Sequence, residues 1–69
     1  VIELKAGTAP PDSLTQLLAY MGALHQEEQK PIRGMLVARD FHQRLLWGAQ
    51  AVPSVQLKEY SFQFFFRDA

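Results

Sequence analysis

The sequence predicts an α/β fold with the order strand-helix-strand-helix-strand. Three observations carry this. Short apolar stretches alternate with two segments whose apolar residues recur at helical spacing. The breaks between them hold the Pro, Gly, Asp and Ser residues that end ladders and start helices. Alternation of this kind argues for layered α/β architecture.

Residues 1–5, "VIELK", read as the first strand, with Ile2 and Leu4 on one face and Val1, Glu3 and Lys5 on the other. As an ordinary edge strand it would pack its apolar face inward and leave the Glu–Lys pair solvated. "AGTAPPDS" breaks it, because Gly7 and the Pro10-Pro11 pair do not continue a ladder. Asp12 or Ser13 then stands where a helix cap is needed. Leu14, Leu17, Leu18, Met21 and Leu24 form one helical face, and "HQEEQKP" ends it.

"IRGMLVAR" is the second strand. Its run at 35–38 is continuously apolar, the pattern of a strand covered on both faces, with Gly34 near its start at a close backbone approach. Asp40 reads as the next N-cap, and Gln43, three residues on, completes a capping box. The helix "FHQRLLW" is expected to end at Gly48. "AVPS" is a loop, and "VQLKEYSFQFFFRDA" is the last extended stretch. Val55 and Leu57 share one parity there, while Tyr60, Phe62, Phe64 and Phe66 share the other. The change near Lys58 and Glu59 predicts a bulge or a break between two strands.

Sixty-nine residues allow one domain, and 48% hydrophobic with 12% aromatic content is that of a globular chain. The absence of cysteine excludes a disulfide framework and a thiolate zinc site, and agrees with a cytoplasmic protein. Seven basic residues balance seven acidic ones, so no global field draws the chain to nucleic acid or membrane. Membrane-length apolar runs and a signal-peptide pattern are both absent, so no membrane partner is expected. Val1 already lies in a strand pattern, which predicts a fragment of a longer polypeptide. A core this small is marginal without disulfides, metals or a partner, so a homo-oligomer is expected, with strands exchanged between copies.

Gln16 and Tyr20 are four apart and flank the apolar stripe of the first helix. In a βα unit that row faces the Glu3–Lys5 end of the strand. A carboxylate at a strand end can ligate Mg²⁺, which prefers oxygen donors. A lysine two residues on can orient a water or meet phosphate charge, and Gln and Tyr can position either.

On these residues the chain resembles the second half of a PD-(D/E)xK nuclease domain, the restriction-endonuclease-like fold. Glu3-Leu4-Lys5 matches the (D/E)xK element, and Gln16-x-x-x-Tyr20 matches the QxxxY element of the RecB-like branch. The text "IELKAG…QLLAYMG…IRGMLVARDF…LKEYSFQF" is most similar to the C-terminal nuclease domain of NucS-like endonucleases. The resemblance implies hydrolysis of a DNA phosphodiester, in single-stranded, double-stranded or branched DNA, by a water activated on Mg²⁺ or Mn²⁺. It implies that Glu3 ligates the metal and that Lys5 assists the water or the scissile phosphate. Gln16 and Tyr20 would position backbone or lysine, and Leu4 would be core.

The chain departs from that family in one respect. The family core begins with a helix and a strand pair that supplies a metal-binding Asp, whereas Asp12, Asp40 and Asp68 all lie downstream of Glu3. A half-domain with part of a metal site is therefore expected, inactive alone. The alternative is a non-catalytic, oligomerising remnant of a nuclease domain.

Elsewhere the residues read as structural. His25 and His42 lack metal spacing, and Ser13 and Ser61 lack a His–Asp arrangement. The aromatic row from Tyr60 to Phe66 could stack bases, but burial in a core or dimer contact is the favoured expectation. Trp47 is expected to pack with Leu45 and Leu46, and Arg33, Arg39 and Arg44 to be solvated.

Overall fold

In the computed structural model, which describes residues 1–69, the chain runs β1 (Ile2–Leu4), β2 (Thr8–Ala9), α1 (Asp12–Glu28), β3 (Gly34–Ala38), β4 (Asp40–Phe41), α2 (Gln43–Gln50) and β5 (Val55–Glu59). The fold is mixed α/β, with two helices and five strands in small parallel sheets. The main sheet has the order β1-β3-β5, and β2 pairs with β4 in a second, two-stranded ladder. Every pairing is parallel. Both helices pack on the same side of the sheet, where Leu14 and Leu17 of α1 and Leu45 of α2 share a cluster with Leu36 and Ala38 of β3. One core between helices and sheet results.

That core is Ala9, Leu14, Leu17, Met21, Leu36, Ala38, Leu45 and Val55. The helical spacing of Leu14, Leu17 and Met21 aims all three at β3, where Gly34, Leu36 and Ala38 form the buried parity. Val37 and Met35, on the other parity, are only half-buried. The expectation that β3 is covered on both faces is therefore corrected: one face has a helix layer and the other has none.

Several local expectations also change. Asp12 and Ser13 are not caps. Pro11 occupies the N-cap with no side-chain bond, and Asp12 sits in the first turn, where its charge suits the helix dipole. Asp40 is not a cap because its backbone is in β4, paired with Thr8. His42 takes the role, its Nδ1 accepting from the Arg44 N–H at 3.1 Å. Helix α2 runs past Gly48 to Gln50, because Ala49 still packs against the core and anchors the last turn. Trp47 is exposed rather than packed. The parity change in the last stretch marks the end of β5 at Glu59; apart from one backbone bond from Tyr60 to Ala38, residues 60–69 add nothing to a sheet. Phe62, Phe64, Phe65 and Phe66 are exposed, so the aromatic row is not core in this chain.

Candidate active site

Strand β1 turns out opposite to the ordinary edge-strand expectation. Its register sets Glu3 beside Leu36, on the side of the sheet that the helices cover. Ile2 and Leu4 point the other way and are 72% and 71% exposed. Leu4 is thus not core. The charged parity is the sheltered one, because α1 lies over the face that carries it. Glu3 and Lys5 are both half-buried there.

The pairing of the first strand breaks and resumes just beyond this point. Leu4 pairs with Val37, yet Thr8 pairs with Asp40, so the first strand holds one residue more than its partner. Gly7 absorbs the extra residue at φ +124°, a conformation that costs glycine little and other residues much. The result is bulge-like: the Lys5 N–H still bonds the Val37 carbonyl at 2.8 Å, and the Arg39 N–H bonds Gly7 O at 3.0 Å. Bulges re-aim side chains, and this one follows Lys5 directly. "AGTAPPDS" is accordingly a distortion rather than the end of pairing.

Across from it, α1 presents Gln16. Lys5 Nζ lies 3.4 Å from Gln16 Oε1, a long and weak contact, but one that joins the two motifs in space. Tyr20 follows one turn later and is 60% exposed. With Gln16, Ala19 and Ala23 it lines a shallow surface depression. Glu3, Lys5 and Gln16 are therefore brought together, while Tyr20 lies alongside on the same helical row.

The Glu3 carboxylate is unusual among the polar groups. Its Oε2 is shielded from solvent and has no hydrogen-bond partner. Lys5 makes no ion pair with it; the ion pairs of the chain are Lys30–Glu28 and Arg39–Asp40. A sheltered, unpartnered carboxylate oxygen is suited to receive a cation. It supplies only one ligand, however, and no group of three or more His, Cys, Asp or Glu side chains gathers anywhere in the chain. The residues present fit part of a Mg²⁺ or Mn²⁺ site and do not complete one.

One residue near the site has no local signal in the sequence. The Tyr60 hydroxyl accepts a hydrogen bond from the Gly7 N–H at 3.0 Å and donates to Lys5 O at 3.3 Å. Its backbone N–H bonds Ala38 O, extending the β5 ladder by one step. Tyr60 thus ties the backbone on both sides of the Lys5–Gly7 distortion to the end of β5. The alternation of aromatics suggested burial or stacking for Tyr60, and nothing in its neighbourhood pointed to a partner so far away in sequence.

No protein-family model, no curated protein and no solved structure matches this chain. No helix is long and apolar enough to cross a membrane.

Proposed function

We propose that the chain carries part of the active site of a metal-dependent DNA endonuclease of the PD-(D/E)xK type, with a restriction-endonuclease-like arrangement. The observation that supports this best is the meeting of the two motifs: the Lys5 ammonium beside Gln16, with the unpartnered Glu3 carboxylate on the same sheltered strand face. In this reading Glu3 holds one coordination position of Mg²⁺ or Mn²⁺, and a second carboxylate comes from outside these residues. A divalent ion, when bound, supplies charge for the phosphate oxygens and lowers the pKa of a water.

The chain's own residues do the remaining work. Lys5, on a strand re-aimed by the bulge and close to Gln16, offers an ammonium to the scissile phosphate, where negative charge grows in the transition state. Gln16 offers the ammonium an acceptor on the helix side. Tyr20 offers an exposed hydroxyl to the DNA backbone. With no net charge on the chain, affinity for DNA comes from local phosphate contacts rather than a general field.

The test is cleavage of labelled single-stranded, double-stranded and branched DNA in Mg²⁺ and in Mn²⁺, beside a gel-shift measurement. The isolated chain is expected not to cut. In a polypeptide that completes the site, Lys5→Ala and Glu3→Ala are each expected to abolish cutting, and Lys5→Ala to leave most DNA binding intact. Undiminished cutting by Lys5→Ala removes Lys5 from the chemistry. Robust cutting by the isolated chain refutes the need for a second carboxylate. A second reading, a non-catalytic interaction module, is favoured by the single-carboxylate site together with the exposed aromatic tail. Failure of any completed domain to cut DNA selects it.

A further inference from the structure

The face of the main sheet away from the helices has no covering layer; β5 puts Gln56 and Lys58 there, and the part made by β1 and β3 is apolar. β1 contributes Ile2 and Leu4, and β3 contributes Met35 and Val37. Leu4, Ala6, Val37, Tyr60 and Phe62 together line an open cleft of about 350 Å³. Phe62 stands edge-on to Tyr60, with centroids 5.2 Å apart, and Phe64 follows at 6.5 Å from Phe62. Beyond that the tail leaves its own body: Phe64, Phe65 and Phe66 are 77%, 89% and 94% exposed. The radius of gyration is 15.0 Å. A compact chain of this length would have about 11 Å, so the tail stands well clear.

We propose that this face binds a second copy of the chain, each copy laying residues 64–66 of its tail along the Ile2 and Leu4 strip of the other. The tail and the strip are the two large apolar features without a partner, and they belong to one molecule, so a reciprocal contact covers both. The area suffices. Side chains of an extended tail alternate sides, so Phe64 and Phe66 face the strip together; taking about 150 Å² for each buried Phe, two per tail remove roughly 600 Å² from two tails. The receiving strips lose a comparable area, giving a total of about 1,200 Å², at the lower edge of the range of roughly 1,200–2,000 Å² for stable interfaces. The charge balance of the chain means that two copies do not repel. Glu3 and Lys5 lie on the opposite side of the sheet, so the dimer stands or falls independently of the nuclease reading.

The test is sedimentation equilibrium of the full chain at micromolar concentration, with far-UV circular dichroism to report folding. The wild-type chain is expected to be a dimer. Phe64→Ser combined with Phe66→Ser is expected to weaken it by about a hundredfold or more, two interface aromatics each contributing roughly a factor of ten, with an unchanged spectrum. The chain has no cysteine, so introduced ones report contacts cleanly. Copies carrying Ile2→Cys, mixed with copies carrying Phe64→Cys, are expected to form a disulfide between the two types on mild oxidation. A folded wild-type monomer, a dimer indifferent to the double substitution, or the absence of the mixed disulfide each overturns the proposal.

Discussion

Replacing Glu3 with methionine should stabilise the fold and abolish whatever affinity it has for a divalent cation. The carboxylate projects from β1 into the helix-covered side beside Leu36, and one of its oxygens is shielded without a partner. A buried polar atom left unsatisfied costs about 1–3 kcal/mol. Glu3 as a whole is only half-buried, so the other oxygen keeps some solvation and the low end applies, about 1 kcal/mol. Methionine keeps the length, adapts to the gap and carries no charge. For a chain of this size a gain of that magnitude raises the melting temperature by about 4–8 °C. Urea unfolding of wild type, Glu3→Met and Glu3→Gln, followed by circular dichroism in the presence of a chelator at one protein concentration, measures it. Addition of Mn²⁺ then tests the ligand role by nuclear magnetic resonance: broadening should centre on Glu3 in wild type and vanish in Glu3→Met. A Glu3→Met protein no more stable than wild type would refute the reasoning. The carboxylate would then be satisfied in solution, and its position would carry no cost that a ligand relieves.

Gly34→Ala should destabilise the fold by about 1–3 kcal/mol, the usual cost of overpacking. A Cβ there would come within 2.5 Å of Met21 Sδ and 3.2 Å of a Leu17 methyl. Met21→Ala in the same chain should recover part of the loss, seen as positive coupling in a double-mutant cycle; a neutral Gly34→Ala would show that the strand and helix are not in close contact. Tyr60→Phe removes the hydroxyl that bonds both Gly7 N–H and Lys5 O, and should cost about 1–2 kcal/mol. It should also speed exchange of the Gly7 amide, and an unchanged exchange rate would place that loop's order elsewhere.

What the sequence revealed and what it hid divide along physical lines. The spacing of Leu14, Leu17 and Met21 requires only local geometry to read, and so does the apolar run of β3. The same geometry placed Lys5 opposite Gln16. For β1, alternation identifies two faces without saying which one receives a helix: the Glu3–Lys5 face is the one toward α1, and Leu4, expected in the core, lies on the other. The apolar face is normally the covered one, and here Ile2 and Leu4 have no covering layer within the chain. Asp40 has the type and spacing of a cap without being one. The pairing with Thr8, which decides the matter, is a contact between distant segments. The Tyr60 hydroxyl was hidden for the same reason, its partners lying 53 and 55 residues away.

The place of β3 at the centre of the sheet has a consequence for how the chain acquires its structure. Among these residues β1 and β5 each pair only with β3, so during synthesis β1 does not gain this partner until residues 34–38 have emerged. Parallel pairing cannot be reached by a tight hairpin, and contacts so distant in sequence form slowly. Helix α1, 17 residues long, is the one element able to begin locally, being longer than the roughly 12–15 residues at which isolated helices become tenable. Its Leu14, Leu17 and Met21 face would then be the surface on which β3 condenses, with β1 and β5 joining late. Until they join, the apolar strands and the phenylalanine tail are open together, and that interval is when the nascent chain is most exposed to aggregation.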